Sequence, residues 1–192
     1  MIPVLPEIKA LIFDCDGTLA DSMPIHIEAW CRTFDATGLE CPLDFIEKHK
    51  GMPVEKIIHI YNRQYNTQID ADKFAREKNR RAREGLNQAL PIEPVVDIVI
   101  RYKGELPMAV ASGGTRDNVV LTIKTIGLED CFDTIVTSDD NVNPKPSPDI
   151  FLETARRLDV EPRYCQVFED GDAGLIAAIK AGMTATYVRP FI

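Results

Sequence analysis

Two aspartates separated by one residue, Asp14 and Asp16, follow the apolar run Ala10-Leu11-Ile12-Phe13 and precede Gly17-Thr18-Leu19. Along a straight strand, residues two apart share one face, and a turn at Gly17 lets the second carboxyl swing aside. One such carboxylate can serve as a nucleophile that splits a difficult transfer into two easier steps. The other can donate a proton and later remove one from water. Three further groups have the complementary chemistry: Ser112-Gly113-Gly114, a hydroxyl beside exposed amides; Lys145 in Asn143-Pro144-Lys145-Pro146-Ser147; and the acidic pair Glu169-Asp170. Carboxylates suit a hard divalent cation such as Mg²⁺, which keeps some of its water. A hydroxyl, amides and an ammonium suit phosphoryl oxygens whose charge redistributes in the transition state. Singly, each motif also reads as a turn, a loop or a solvated charge.

The elements that would position these groups are legible. Ala10–Phe13, Met108–Ala111, Thr134–Thr137, Cys165–Phe168 and Thr184–Val188 are short apolar runs without polar alternation, the pattern of strands buried on both faces in a parallel sheet. Helix-like stretches separate them: Pro94–Lys103, Thr115–Ile126, Ser147–Leu158 and Ala173–Ala181. Gly127 and Gly182 read as C-terminal stops, and Ser147 followed by Pro148 reads as an N-cap with proline at the first helical position. The expected fold is α/β, a doubly wound parallel sheet. Such sheets bind ligands beyond the carboxyl ends of their strands, and all four chemical groups fall there. Residues 20–90 break the rhythm: they are rich in helix formers and hold no convincing strand. They read as an all-helical cap inserted into a core made of residues 1–19 and 91–192, since a structureless loop of that length is uncommon.

Composition narrows the function classes. The 192 residues carry a formal net charge of −8, with 45% hydrophobic and 27% charged residues, so a core is available. The acidic balance disfavours nucleic acid and anionic membrane surfaces as partners. The N-terminus lacks a signal-peptide pattern and no apolar run reaches transmembrane length, which together predict a cytoplasmic protein. Five cysteines at scattered spacing read as reduced packing residues, Cys15 among them. Arg76, Lys78, Arg80, Arg81 and Arg83 lie in a charged helix where Glu77 precedes Arg81, and Arg80 precedes Glu84, by four residues. That reads as a solvated face with paired charges, although Lys78 has a second reading given below.

Taken in order, Asp14-Cys15-Asp16-Gly17-Thr18-Leu19, Ala111-Ser112-Gly113-Gly114, Lys145-Pro146-Ser147-Pro148-Asp149 and Glu169-Asp170 resemble the four motifs of the haloacid-dehalogenase superfamily across essentially the whole chain. The resemblance implies Asp14 as nucleophile, Asp16 as general acid and base, and Ser112 and Lys145 as catalytic groups for the phosphoryl oxygens. It implies Mg²⁺ held by the Asp14 carboxylate, the Asp16 carbonyl and Asp170, with Glu169 acting through water or by holding the other ligands in place. This subgroup often has serine after the acidic pair, whereas this chain runs Glu169-Asp170-Gly171-Asp172, and Asp172 is expected as a spare acid near the metal. The run from Asp21 to Trp30 resembles the helical-cap subgroup that includes β-phosphoglucomutase and sugar-phosphate phosphatases. Pro107-Met108-Ala109-Val110, Val167-Phe168-Glu169-Asp170 and Ala181-Gly182-Met183 resemble its fructose-1-phosphate phosphatase branch. Gly113, Gly114, His26, Trp30, Lys50, Gly51, Lys78 and Asn79 are then the expected substrate contacts. Mutase relatives carry an arginine where this chain has Val54, which favours a hydrolase of a small phosphorylated sugar or sugar acid, acting as a monomer or weak homo-oligomer. A phosphosugar mutase is the alternative. A receiver-like phospho-aspartate domain gives Asp16 no role, and a dehalogenase needs neither Mg²⁺ nor Asp16.

Overall fold

The computed structural model describes residues 2–49 and 52–192. In chain order the elements are β1 (Ala10–Phe13), β2 (Ala20–Asp21), α1 (Met23–Asp35), α2 (Leu43–Lys48), α3 (Val54–Tyr65) and α4 (Ala71–Gly85). They continue with β3 (Leu90–Pro91), α5 (Glu93–Tyr102), β4 (Met108–Ala111), α6 (Arg116–Thr125), β5 (Thr134–Val136), α7 (Asp149–Leu158), β6 (Cys165–Glu169), α8 (Asp172–Lys180) and β7 (Thr184–Tyr187). Five strands form one sheet in the order β5-β4-β1-β6-β7, and every pair is parallel.

Alternate residues of the central strand build two separate cores. Leu11 and Phe13 point to the face covered by α5 and α6, where Val95, Val99, Val119 and Ile123 pack on them. Ala10 and Ile12 point to the opposite face, against Phe151 and Ala155 of α7 and Ala177 and Ala178 of α8. This two-residue period explains the unbroken apolar runs, because both faces of β1 are covered. Phe13 stacks on Phe168 of β6 with ring centroids 4.8 Å apart, so the two strands carrying acidic ends are locked side by side. No helix among the described residues is long and apolar enough to cross a membrane.

Helix boundaries depart from expectation by one or two residues, most instructively at α7. Ser147 is not its N-cap. Pro148 holds that position, and the Ser147 hydroxyl donates to the Asp149 carboxylate at 3.0 Å. Asp149 also accepts from the Asn143 side chain at 2.6 Å, so this acid, not the serine, organises the turn. Gly127 and Gly182 do end their helices with φ of +74° and +75°, a conformation costly for residues with a Cβ.

The 20–90 stretch contains the four helices α1–α4, with an apolar cluster of its own built on Trp30, Phe34, Phe45, Ile58, Tyr61 and Phe74. Phe34 sits 4.8 Å from Phe74 and 5.2 Å from Tyr61, both edge-on, a favourable aromatic geometry. On the outer face of α4, Glu77 pairs with Arg81 at 2.7 Å and Arg80 reaches Glu84. The expectation that the stretch holds no strand is corrected at its two ends. β2 and β3 pair antiparallel, Ala20 with Pro91 and Asp21 with Leu90, and the Ile92 amide donates to the Leu19 carbonyl at 2.9 Å. Two-residue strands lack the length for any pattern to show in sequence, and Pro91 disguises one of them.

Gly174 lies inside α8, where glycine is unfavourable. A Cβ there would come 1.8 Å from Oε1 of Glu169, so the glycine is what lets the helix approach the end of β6. Gly174→Ala should gain at most about 1 kcal/mol in helix propensity and lose more by expelling a buried carboxylate (about 3–5 kcal/mol when a buried ion pair is broken). We expect a melting temperature lowered by several degrees, measured by thermal unfolding. Gly171→Ala, whose Cβ would stand 3.6 Å from Glu169 Oε2, should change it far less.

Candidate active site

The carboxyl ends of β1, β4 and β6 and the loop after β5 converge on one cavity of about 550 Å³, roofed by α1, α2, α3 and α4. At its floor lies a buried ion cluster. The Lys145 ammonium, with its side chain 2% exposed, donates to Asp14 Oδ1 at 2.7 Å, to Glu169 Oε1 at 2.6 Å and to the Ala111 carbonyl at 3.0 Å. A lysine has three donors, and all three are used. Burial favours its neutral form, but the two carboxylates outweigh burial and hold Lys145 well above its ordinary value.

Asp14 has the opposite balance. Burial presses its carboxyl up, Lys145 opposes this, and the neighbouring Glu169 and Asp170 press it up again, leaving it well above the usual carboxylate range. One ammonium therefore does not offset three buried acids. Asp14, Glu169 and Asp170 each present a ligand oxygen within 4.8 Å of the others. An all-oxygen donor set with excess negative charge fits Mg²⁺, whose two positive charges would favour the ionised form of Asp14. Glu169 has both oxygens engaged, Oε1 by Lys145 and Oε2 by the Gly171 amide at 2.9 Å, which supports its place behind the other two acids. Asp172 is exposed in the first turn of α8 and lies outside the cluster.

Asp16 faces the roof, away from the ion cluster. Its Oδ1 accepts from the Ser22 hydroxyl at 2.6 Å and contacts His26 Nε2 at 3.1 Å, while Lys78 Nζ stands 2.9 Å from His26 Nδ1. An ammonium cannot accept, so Nδ1 accepts from Lys78 and Nε2 carries the proton given to Asp16. Burial pushes Asp16 up, but His26, Ser22 and Lys78 together outweigh it and hold the carboxyl well below its usual range. Burial lowers Lys78 to about 8, with Asp16 and Glu55 acting the other way. Ser22 stands at the N-cap position of α1 yet makes no cap bond. Its hydroxyl serves Asp16 instead.

The remaining expected residues distribute as follows. Ser112 is buried, and its Oγ accepts from the Gly114 amide at 3.0 Å; both glycines line the cavity. His26, Trp30, Lys78 and Asn79 line it from the roof. Trp30 is shared with the helical cluster, with Lys78 Nζ 5.6 Å from its ring. The Asn79 carbonyl accepts from Asn118 of α6 at 3.2 Å. Lys78 is on the buried face of α4 with Phe74 and Ala82, not on the solvated one. Cys15 is fully buried among core residues. Lys50 and Gly51 lie outside the described residues. Sequence reasoning missed Asn118 and the contact of Arg189 with Asp170 at 3.3 Å; neither sits in a motif.

Comparison with known proteins agrees with this geometry. Residues 11–188 match the family described as haloacid dehalogenase-like hydrolase. The fructose-1-phosphate phosphatase YqaB of Escherichia coli K12 is 36% identical over 179 residues, 93% of this chain and 95% of that protein. The β-phosphoglucomutase of Bacillus subtilis is 29% identical, covering 94% and 83%. Among solved structures, CbbY from Rhodobacter sphaeroides in complex with phosphate superposes with a TM-score of 0.82 at 27% identity, over 93% of this chain and 84% of that one. With the motif residues gathered at one sheet edge and a family match along almost its whole length, the chain belongs to the haloacid dehalogenase-like hydrolases.

Proposed function

We propose that the chain is a Mg²⁺-dependent phosphatase that hydrolyses a small phosphorylated sugar or sugar acid through an aspartyl-phosphate on Asp14, with residues 20–90 as its cap. The observation that carries this reading is the Lys145 ammonium held between Asp14 and Glu169 beneath a covered cavity. It is supported by the phosphatase named among the similar proteins. Mg²⁺, held by Asp14, Asp170 and the Asp16 carbonyl with Glu169 behind them, would supply positive charge to the phosphoryl oxygens. Lys145, Ser112 and the amides of Gly113 and Gly114 would bind the same oxygens and keep the phosphorus in line with Asp14.

In the first step an Asp14 oxygen attacks phosphorus and the bond to the sugar oxygen breaks, that oxygen taking its proton from Asp16. In the second, water attacks phosphorus, the bond to Asp14 breaks, and Asp16 takes the water proton. With Asp16 held as a carboxylate by Ser22 and His26, the arrangement is ready for the second step. For the first, the Lys78–His26 pair holds a proton one hydrogen bond away. His26, Trp30, Lys78 and Asn79, together with Lys50 and Gly51, would meet the sugar. Val54 lines the cavity with a side chain that offers no charge to a second phosphate, which favours hydrolysis over the mutase reaction.

The deciding experiment incubates the protein with a panel of hexose and pentose phosphates, with Mg²⁺ and with chelator, measuring free phosphate and isomer together. Free phosphate that disappears with chelator is expected; isomer without phosphate release would overturn the hydrolase assignment. Asp14→Asn should abolish phosphate release while leaving the melting temperature within a few degrees, and substantial residual kcat would remove Asp14 as nucleophile. The pH dependence is signed by Lys78. Below about 8 it is charged and donates to His26; above that value the relay has lost a proton. We expect kcat/KM to fall as pH rises through about 8. Lys78→Met should be slower throughout and lack that limb.

A further inference from the structure

The C-terminal segment enters the site at a point no motif marks. The Val188 amide donates to the Glu169 carbonyl at 2.9 Å, which brings the following residue, Arg189, onto Asp170. Its Nε donates to the Asp170 backbone carbonyl at 3.1 Å and its Nη2 to Oδ2 of the same residue at 3.3 Å. The same Nη2 lies 4.0 Å from Glu47 Oε1 on α2. Two residues of the turn after β1 also approach the Asp170 carboxylate. The Thr18 hydroxyl donates to Oδ1 at 3.4 Å, and the Gly17 backbone lies so near that a Cβ there would come 2.7 Å from Oδ2. Gly17 has φ +87°, so the turn after β1 is shaped to leave room for this carboxylate.

We propose that Arg189 is a positioning residue: its guanidinium fixes the peptide and the carboxylate of Asp170 together, and so sets the affinity of the acidic cluster for a divalent cation. The proposal rests on the reading of Asp170 as a cation ligand. A planar guanidinium holds a carbonyl and a carboxylate of one residue with donors fixed in a rigid fork, whereas an ammonium is a point charge whose donors rotate and impose less orientation. Groups that orient a metal ligand commonly contribute about 10–100-fold to metal affinity.

The sign of the effect separates orientation from simple charge. Arg189 is a cation beside a cation site. If its charge alone mattered, Arg189→Gln would tighten Mg²⁺ binding and Glu47→Gln would weaken it. If Arg189 orients Asp170, Arg189→Gln weakens binding despite removing a competing charge. The Glu47 contact is long, and the Glu47 side chain is more than half exposed, so Glu47→Gln should matter little.

The test is Mg²⁺ titration by calorimetry on the full chain without substrate, for wild type, Arg189→Gln, Arg189→Lys, Glu47→Gln and Asp170→Asn. Arg189→Gln should raise Kd about tenfold or more, Arg189→Lys should fall between it and wild type, and Glu47→Gln should stay within about twofold of wild type. In turnover, Arg189→Gln should recover kcat at saturating Mg²⁺ with a raised KM for Mg²⁺; a merely structural defect would lower kcat at every concentration. Unchanged or tighter binding in Arg189→Gln, with Asp170→Asn losing Mg²⁺, overturns this role and leaves the metal reading standing. Full binding in Asp170→Asn overturns both. Should Arg189→Gln fail to fold, Arg189→Lys decides: wild-type affinity there would show that the charge suffices and overturn the orienting role.

Discussion

Lys145 contributes an ammonium to a region otherwise made of strand ends and carboxylates, and the site is arranged around it. Its three hydrogen bonds reach the residue after β1, the last residue of β4 and the last residue of β6, so one side chain joins three neighbouring strands at their carboxyl edge. Desolvating a charged group is expensive, and a buried ion pair is weak evidence for stability. What such a cluster secures is placement. A misplaced strand end would leave a buried charge without its partner. The approach of α8 through Gly174, the turn at Gly17 and the engagement of both Glu169 oxygens serve the same geometry.

The site divides into two electrostatic compartments that meet between Asp14 and Asp16. On the floor, negative charge exceeds positive, and Asp14 is pressed toward its neutral form. Under the roof, Lys78 and His26 face Asp16, with Glu55 also near Lys78, and Asp16 is kept ionised. Two aspartates separated by one residue thus experience opposite environments, the condition for giving two like groups different tasks. The division follows from chain direction: Asp14 comes directly after β1, whereas Asp16 lies two residues further along and faces α1 and α4.

Much of this was legible in the sequence. Parallel strands buried on both faces announce themselves as unbroken apolar runs, and residues after such strands are where a ligand site must be. The helical insertion was visible as a break in rhythm. What was not legible depended on tertiary contact. From its own pattern Lys78 reads as one basic residue in a charged helix; the family resemblance alone marked it as a site residue, and the packing of α4 on α1 is what turns it inward to His26. Ser22 carries no mark of its role in the sequence, and only the position of Asp16 engages its hydroxyl. Arg189 follows Asp170 by nineteen residues, with no local pattern to connect them. The strands β2 and β3 are too short to leave a periodic trace.

Those two short strands have a consequence for how the molecule could diversify. Because Ala20 pairs with Pro91 and Asp21 with Leu90, the insertion leaves and rejoins the core at neighbouring backbone positions, a few ångströms apart as in any antiparallel pair. Any segment whose own ends lie that close could be spliced into the same place without stretching β1 or α5, and with only a slowly growing entropic cost for its length. Recombination at this seam would exchange the chamber above the sheet edge while leaving Lys145, Asp14, Glu169 and Asp170 in register, so the selectivity of the chamber can evolve separately from the floor.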